Sequence, residues 1–198
     1  MAHAAFHQKT ECGQMKFQSL LPLAAMFALS LPAAAAGVDY AKSEITFVSK
    51  QMNVPVQGRF KKFTAQIAFD PKQPASSKAD IEVDLTSIDT GSAEANDEVG
   101  KKTWFNTSAF PTAQFSSSAV AQTGPDRYEA RGKLSIKGIS QDVTAPFSVK
   151  RAGDVVTYDG GFTLKRLQFK IGEGAWSDTE TVADEVQVKF RIVTTGNK

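Results

Sequence analysis

Between Arg127 and Ile136 apolar or small residues alternate strictly with polar ones: Tyr128, Ala130, Gly132, Leu134 and Ile136 are separated by Glu129, Arg131, Lys133 and Ser135. A period of two places the first set on one face of an extended strand and the charged set on the other. A helix cannot bury such a pattern, because at 3.6 residues per turn the charges would surround it. The same rhythm recurs at Ile45 and Phe47, at Phe63, Ala65, Ile67 and Phe69, and at Ile81, Val83 and Leu85. It returns at Val143, Ala145, Phe147 and Val149, then at Val156, Tyr158, Gly160, Phe162 and Leu164, and last at Val186, Val188, Phe190 and Ile192.

Turn formers separate these runs: Asp70-Pro71, Gly124-Pro125-Asp126, Gly138 and Gly153-Asp154. The pattern predicts an all-β domain of about eight antiparallel strands. Parity slips between Gly58 and Lys62, since Phe60 and Phe63 cannot share a face of a regular strand, so a bulge is expected there. Ser92 to Lys102, rich in Ala, Glu, Asp and Lys, breaks the rhythm and predicts a short helix near one end, capped by Ser92. Strands of this kind satisfy either a closed up-and-down barrel or a two-sheet sandwich. Long strands, and Gly132, Gly160 and Gly161 within them where bending is easy, favour the barrel.

Residues 1–36 are of another kind. Lys16 precedes an apolar run from Leu20 to Leu31, followed by Pro32 and four alanines, the layout of a cleaved secretory signal peptide. Pro22 and Ser30 interrupt the run, leaving it short of the roughly 20 apolar residues a spanning helix needs. Met15 is a candidate start. The expected organisation is therefore a leader over 1–36 and one exported domain over 37–198.

Cleavage after Ala36 would remove His3, His7 and Cys12, the only histidines and the only cysteine of the sequence. A Ser-His-Asp triad, a cysteine nucleophile, a disulfide and the usual zinc, copper and haem ligands are then all excluded. Lys9, Lys16 and Glu11 are the only charges lost, so the remainder stays nearly neutral without a block of like charge, which argues against a nucleic-acid surface. Asp178, Glu180, Asp184 and Glu185 form the one carboxylate cluster open to acid-base or calcium chemistry. Their spacing matches no calcium loop, and solvated loop charges are the plainer reading.

Several segments, in order, resemble the YceI-like family of periplasmic lipid-binding proteins: Ser43-Glu44-Ile45-Thr46-Phe47, Gly58-Arg59-Phe60, Ala68-Phe69-Asp70 and Ser87-Ile88-Asp89-Thr90-Gly91. Trp104-Phe105-Asn106, Phe110 to Phe115, Gly132 to Gly138, Val143 to Phe147 and Gly161 to Gly172 continue the match. The resemblance implies a lipocalin-type barrel around a polyisoprenoid, isoprenoid quinone or fatty chain, with no cofactor and no catalysis. Where the family often carries a histidine after the first strand, this sequence reads Ser49 to Val54, so no histidine contact to a head group is implied.

The inward residues expected to meet such a ligand are Phe47, Phe63, Ile67 and Phe69 from the first strands, then Ile81, Val83 and Leu85. Trp104 and Phe105 follow the helix and either close the mouth or plug the core. Leu134, Phe147, Tyr158, Phe162 and Phe190 complete the set. Composition alone allows these side chains to fill the interior, whereas the resemblance implies a cavity. Trp176, in a Gly-rich segment, suits a lid or a loop anchor, and Arg59, Lys165 and Arg166 suit a polar head at the rim or plain surface charge. The leading expectation is a carrier of a long apolar ligand with transient membrane contact. A filled-barrel partner of an envelope redox or stress system, and a carboxylate-dependent hydrolase, are the alternatives.

Overall fold

A computed structural model describes residues 37–196; the expected leader lies outside the described residues. Eleven strands and one α-helix follow in order: β1 (Gly37–Val38), β2 (Glu44–Gln51), β3 (Val54–Phe60), β4 (Phe63–Ala68), β5 (Lys78–Asp84), β6 (Ile88–Asp89), α1 (Ala93–Gly100), β7 (Thr112–Gly124), β8 (Arg127–Ile136), β9 (Ile139–Ala152), β10 (Val155–Lys165) and β11 (Glu185–Thr195). Every pairing is antiparallel, in the order β4-β5-β7-β8-β9-β10-β11-β2-β3-β6, with β1 added on β11.

The two ends of that path belong to one pair of bent strands. β3 and β4 are halves of a strand broken at Lys61 and Lys62, and β5 and β6 are halves of its partner, broken at the 3-10 turn Leu85–Ser87. Phe60 pairs with Ile88 while Phe63 pairs with Val83, so the partner strand carries extra residues at the corner. Hydrogen bonds continue through it: Lys61 N donates to Ser87 O (3.1 Å) and Asp84 N to Lys62 O (3.0 Å). This is the expected parity slip, and it curls the sheet back on itself into a barrel of eight long strands instead of a sandwich.

Within the strands the alternation is realised as read. Tyr128, Ala130, Gly132, Leu134 and Ile136 are buried, whereas Arg131, Lys133 and their outward neighbours are not. β7 is the strand whose alternation the sequence conceals, because its inward positions include Ala113 and Ser117 among a run of Ser, Ala and Gln. A register shift between Ser117 and Ala119 then moves the inward set to Val120. Buried Ser117 is satisfied by accepting from Ala79 N at 2.8 Å.

The two ends of the barrel interior differ. At one end Phe69, Tyr128, Phe147 and Tyr158 pack ring against ring, with centroids 5.0–6.3 Å apart, over fully buried Val156 and Ile192. Edge-on and offset contacts of this sort close an end more tightly than aliphatic packing alone. At the other, Leu85, Ala113, Leu134, Ile136, Phe169 and Ile171 form a second cluster against Trp104 and Phe105. Helix α1 lies at this second end. Ser92 Oγ accepts from Ala95 N at 3.3 Å as its cap, and Asn96 Oδ1 accepts from Thr90 N at 2.8 Å.

Candidate binding cavity

Between the two clusters the barrel is hollow. A cavity of about 640 Å³ runs from the aromatic floor to α1, within the range of small-molecule sites. Its walls come from inward positions of nearly every strand and are almost wholly apolar. Ser49, Gln51, Thr90, Ser92, Glu94 and Glu98 supply polar atoms at the α1 end. Gln51, Ser92 and Glu94 are also solvent-exposed, so the cavity meets water between α1 and the β2–β3 hairpin. On that hairpin Met52 (70% exposed) and Val54 (63%) form an apolar lip.

The expected inward residues line this space: Phe47, Ile67 and Phe69; Ile81, Val83 and Leu85; Trp104 and Phe105; Leu134, Phe147, Tyr158, Phe162 and Phe190. Phe63 does not. Its ring is packed against the core cluster at the start of β4 and stands edge-on to Tyr40 at 5.5 Å, outside the cavity lining. Phe60 and Phe115 line the wall although the sequence did not mark them. Phe60 was hidden by the parity slip, and Phe115 by the polar composition of β7.

The cavity stays open because large rings lie against the wall, not across the bore. Phe47 is paired across strands with Gly58, and Phe190 and Phe147 both with Gly160. A Cβ at Gly58 would lie 2.3 Å from Phe47 Cζ, and one at Gly160 2.5 Å from Phe190 Cζ. The rings thus occupy the space that a side chain on the facing strand would take.

Arg166 corrects an expectation: it is 2% exposed, not a rim or surface charge. Its five N–H groups are all spent on main-chain carbonyls. Nε donates to Ala183 O (3.1 Å), Nη1 to Ile171 O and Gly172 O (2.9 and 3.0 Å), and Nη2 to Trp176 O and Val182 O (both 2.7 Å). Burial holds its pKa below the ordinary arginine value, offset in part by Asp184. The guanidinium also sits 5.8 Å from the centroid of the Trp104 ring. One side chain therefore fixes the whole 171–183 segment beside the mouth. No pattern marks this role, since a lone arginine at a strand end reads as surface charge.

Trp176, in the 3-10 turn Gly174–Ser177, packs on Trp104 at 5.6 Å, and its Nε1 donates to Glu98 Oε1 at 3.1 Å. The segment is thus latched to α1, as an anchor at the cavity edge. The bond from Lys101, with its charge and the Trp176 contact, keeps the Glu98 carboxyl below the usual glutamate range. Of the other basic candidates, Arg59 pairs with Asp89 on the outer face, and Lys165 is exposed.

Of the carboxylates in the 178–185 segment, Asp178 and Asp184 serve the loop, and Glu180 and Glu185 are exposed. Asp178 accepts from Glu180 N (3.0 Å) and Thr181 Oγ1 (2.7 Å), which hold its pKa down, and Asp184 Oδ1 accepts from Leu167 N (3.0 Å).

A YceI-like domain model matches residues 37–194. The chain belongs to the YceI-like family. Protein YceI of Escherichia coli O157:H7 is 32% identical over 127 residues, covering 59% of this chain and 65% of that relative's length. The chain thus matches just under two thirds of that curated relative. Among solved structures, BcnA of Burkholderia cenocepacia is 48% identical with a TM-score of 0.78, over 80% of this chain and 99% of BcnA. A polyisoprenoid binding domain from Saccharophagus degradans, implicated in plant cell wall breakdown, has a TM-score of 0.67 at 17% identity, over 82% of this chain and 98% of that one. At that identity the likeness shows the fold alone.

Proposed function

We propose that this YceI-like protein is a periplasmic carrier or reservoir that holds one long apolar molecule, an isoprenoid, an isoprenoid quinone or a fatty-acid derivative, inside its barrel. The observation that carries this reading is the apolar cavity of about 640 Å³ open at the α1 end. At about 30 Å³ for a water-sized group, it has room for roughly 20 chain atoms. Burying roughly 20 methylenes at about 0.8 kcal/mol each is worth about 16 kcal/mol before ordering costs. Even at about 0.3 kcal/mol per heavy atom, the net is about 6 kcal/mol, a Kd of tens of micromolar. Shape and burial suffice, and the role needs no catalytic group. A structural neighbour of the same fold is a polyisoprenoid binding domain, so a barrel of this kind is able to hold such a chain. The mouth, with its apolar lip, suits brief contact with a membrane that supplies or receives the chain.

The test is extraction: the mature protein, purified from cells of its own kind, is treated with organic solvent and the extract identified by mass spectrometry. An apolar chain in about equimolar amount is expected. Preparations that repeatedly carry no lipid and take up no fluorescent fatty probe would sink the carrier reading.

A further inference from the structure

We propose that the Phe47–Gly58 pair gauges the width of chain the cavity admits, so that the barrel discriminates methyl-branched isoprenoid chains from straight acyl chains by ring position. The inference rests on the carrier reading and adds to it the residues that set selectivity. Phe47 on β2 and Gly58 on β3 are direct cross-strand partners, and the Phe47 ring lines the cavity. The ring covers the glycine: a Cβ at Gly58 would lie 2.3 and 2.7 Å from Phe47 Cζ and Cε1, closer than real Cβ atoms approach. Phe60 flanks the ring at 5.5 Å. With the strand behind and Phe60 beside, the free direction is into the bore. Any side chain at position 58 therefore lifts the ring toward the ligand.

Gly160 repeats the device under Phe190, but there a Cβ would also meet Pro146 O at 2.6 Å, so backbone must move. At Gly58 the backbone atom met, Asp89 O, lies at 2.9 Å, just inside the 3.0 Å that real Cβ atoms keep, so the strand yields far less there than at Gly160 and the ring takes most of the displacement. Position 58 is thus where bore can be changed with least disturbance of the barrel. A branch methyl has the width of one extra carbon, and hydrophobic pockets discriminate single methylenes by roughly 10-fold or more.

The experiment compares two saturated alcohols with the same sixteen-carbon main chain and the same head, phytanol with its four methyl branches and hexadecan-1-ol with none. Affinities are measured on delipidated wild type, Gly58→Ala, Phe47→Leu and the double variant, with far-UV circular dichroism to check folding. Gly58→Ala is expected to weaken phytanol about 10-fold relative to hexadecanol. Phe47→Leu shifts the ratio the other way, and the double variant returns it toward wild type. Equal weakening of both alcohols by Gly58→Ala, or a ratio unchanged in Phe47→Leu, overturns the gauge while leaving the carrier reading intact. Should Gly58→Ala fail to fold, the Phe47→Leu ratio decides. If wild type binds neither alcohol, the carrier reading and the gauge both fall.

Discussion

Replacing Arg166 by Met should cost about 3–5 kcal/mol and loosen the cavity mouth before the barrel itself unfolds. The guanidinium makes five hydrogen bonds, 2.7–3.1 Å long, to carbonyls of Ile171, Gly172, Trp176, Val182 and Ala183. Charge-assisted bonds contribute about 1.5–3 kcal/mol each, a gross of about 7–15 kcal/mol. Taking a guanidinium out of water costs several kcal/mol in return, which leaves the net near the stated range. Methionine fills much of the volume but leaves those acceptors without partners. Lysine, with three donors on one atom, cannot span the five carbonyls, so Arg166→Lys should recover less than half of the loss. Urea unfolding reads the effect: with a slope of about 2 kcal/mol per molar, the midpoint falls by roughly 2 M. Limited proteolysis should show new cuts between residues 171 and 183. A midpoint within 0.5 M of wild type and an unchanged cleavage map would refute the staple.

The Glu98–Trp176 latch should be pH-dependent. The Glu98 pKa is lowered in the fold, first by the bond from Lys101 and least by the Trp176 contact, so the contribution of the Lys101–Glu98–Trp176 group is fully present above the ordinary glutamate pKa of about 4.3 and is lost as pH falls through the depressed value. Tryptophan emission should therefore change on acidification below about pH 4 in wild type and stay flat over the same range in Glu98→Gln, which keeps an acceptor; matching titrations would count against the latch. Ser92→Ala removes the cap of α1 and should lower helix protection in hydrogen exchange by about 1 kcal/mol, with strand protection unaltered. Gly132→Ala places a Cβ 2.2 Å from Ser116 O, a backbone atom that cannot swing aside, and should destabilise the barrel by at least about 3 kcal/mol in urea; a folded variant of wild-type stability would show that the β7–β8 contact is slack.

The strands were legible wherever the inward residues were large. Tyr128 to Ile136 and Val156 to Leu164 alternate cleanly because one face meets the core and the other meets water. β7 was not, since Ala113 and Ser117 are inward but small, and a register shift breaks the period midway. The corner of the barrel was visible as a fault in parity at Gly58 to Lys62, although that it joins both ends of the sheet depends on pairing with Ile88 and Val83, far along the chain. Most of the cavity wall followed from the same alternation. That the interior is hollow did not, because periodicity assigns faces without saying whether facing side chains meet across the bore. Arg166 was beyond reach for a related reason: its partners are main-chain carbonyls, which carry no sequence signal.

In the proposed carrier the cavity itself holds the chain. A crystal structure of the protein loaded with a fatty acid brominated midway along its chain tests this, because anomalous scattering locates the bromine independently of refinement. The bromine should lie inside the barrel, between the floor at Tyr128 and Tyr158 and the mouth at Glu94 and Trp176, with the head group toward α1. Bromine found only on the outer face, with the cavity filled by water or by collapsed side chains, would contradict the account.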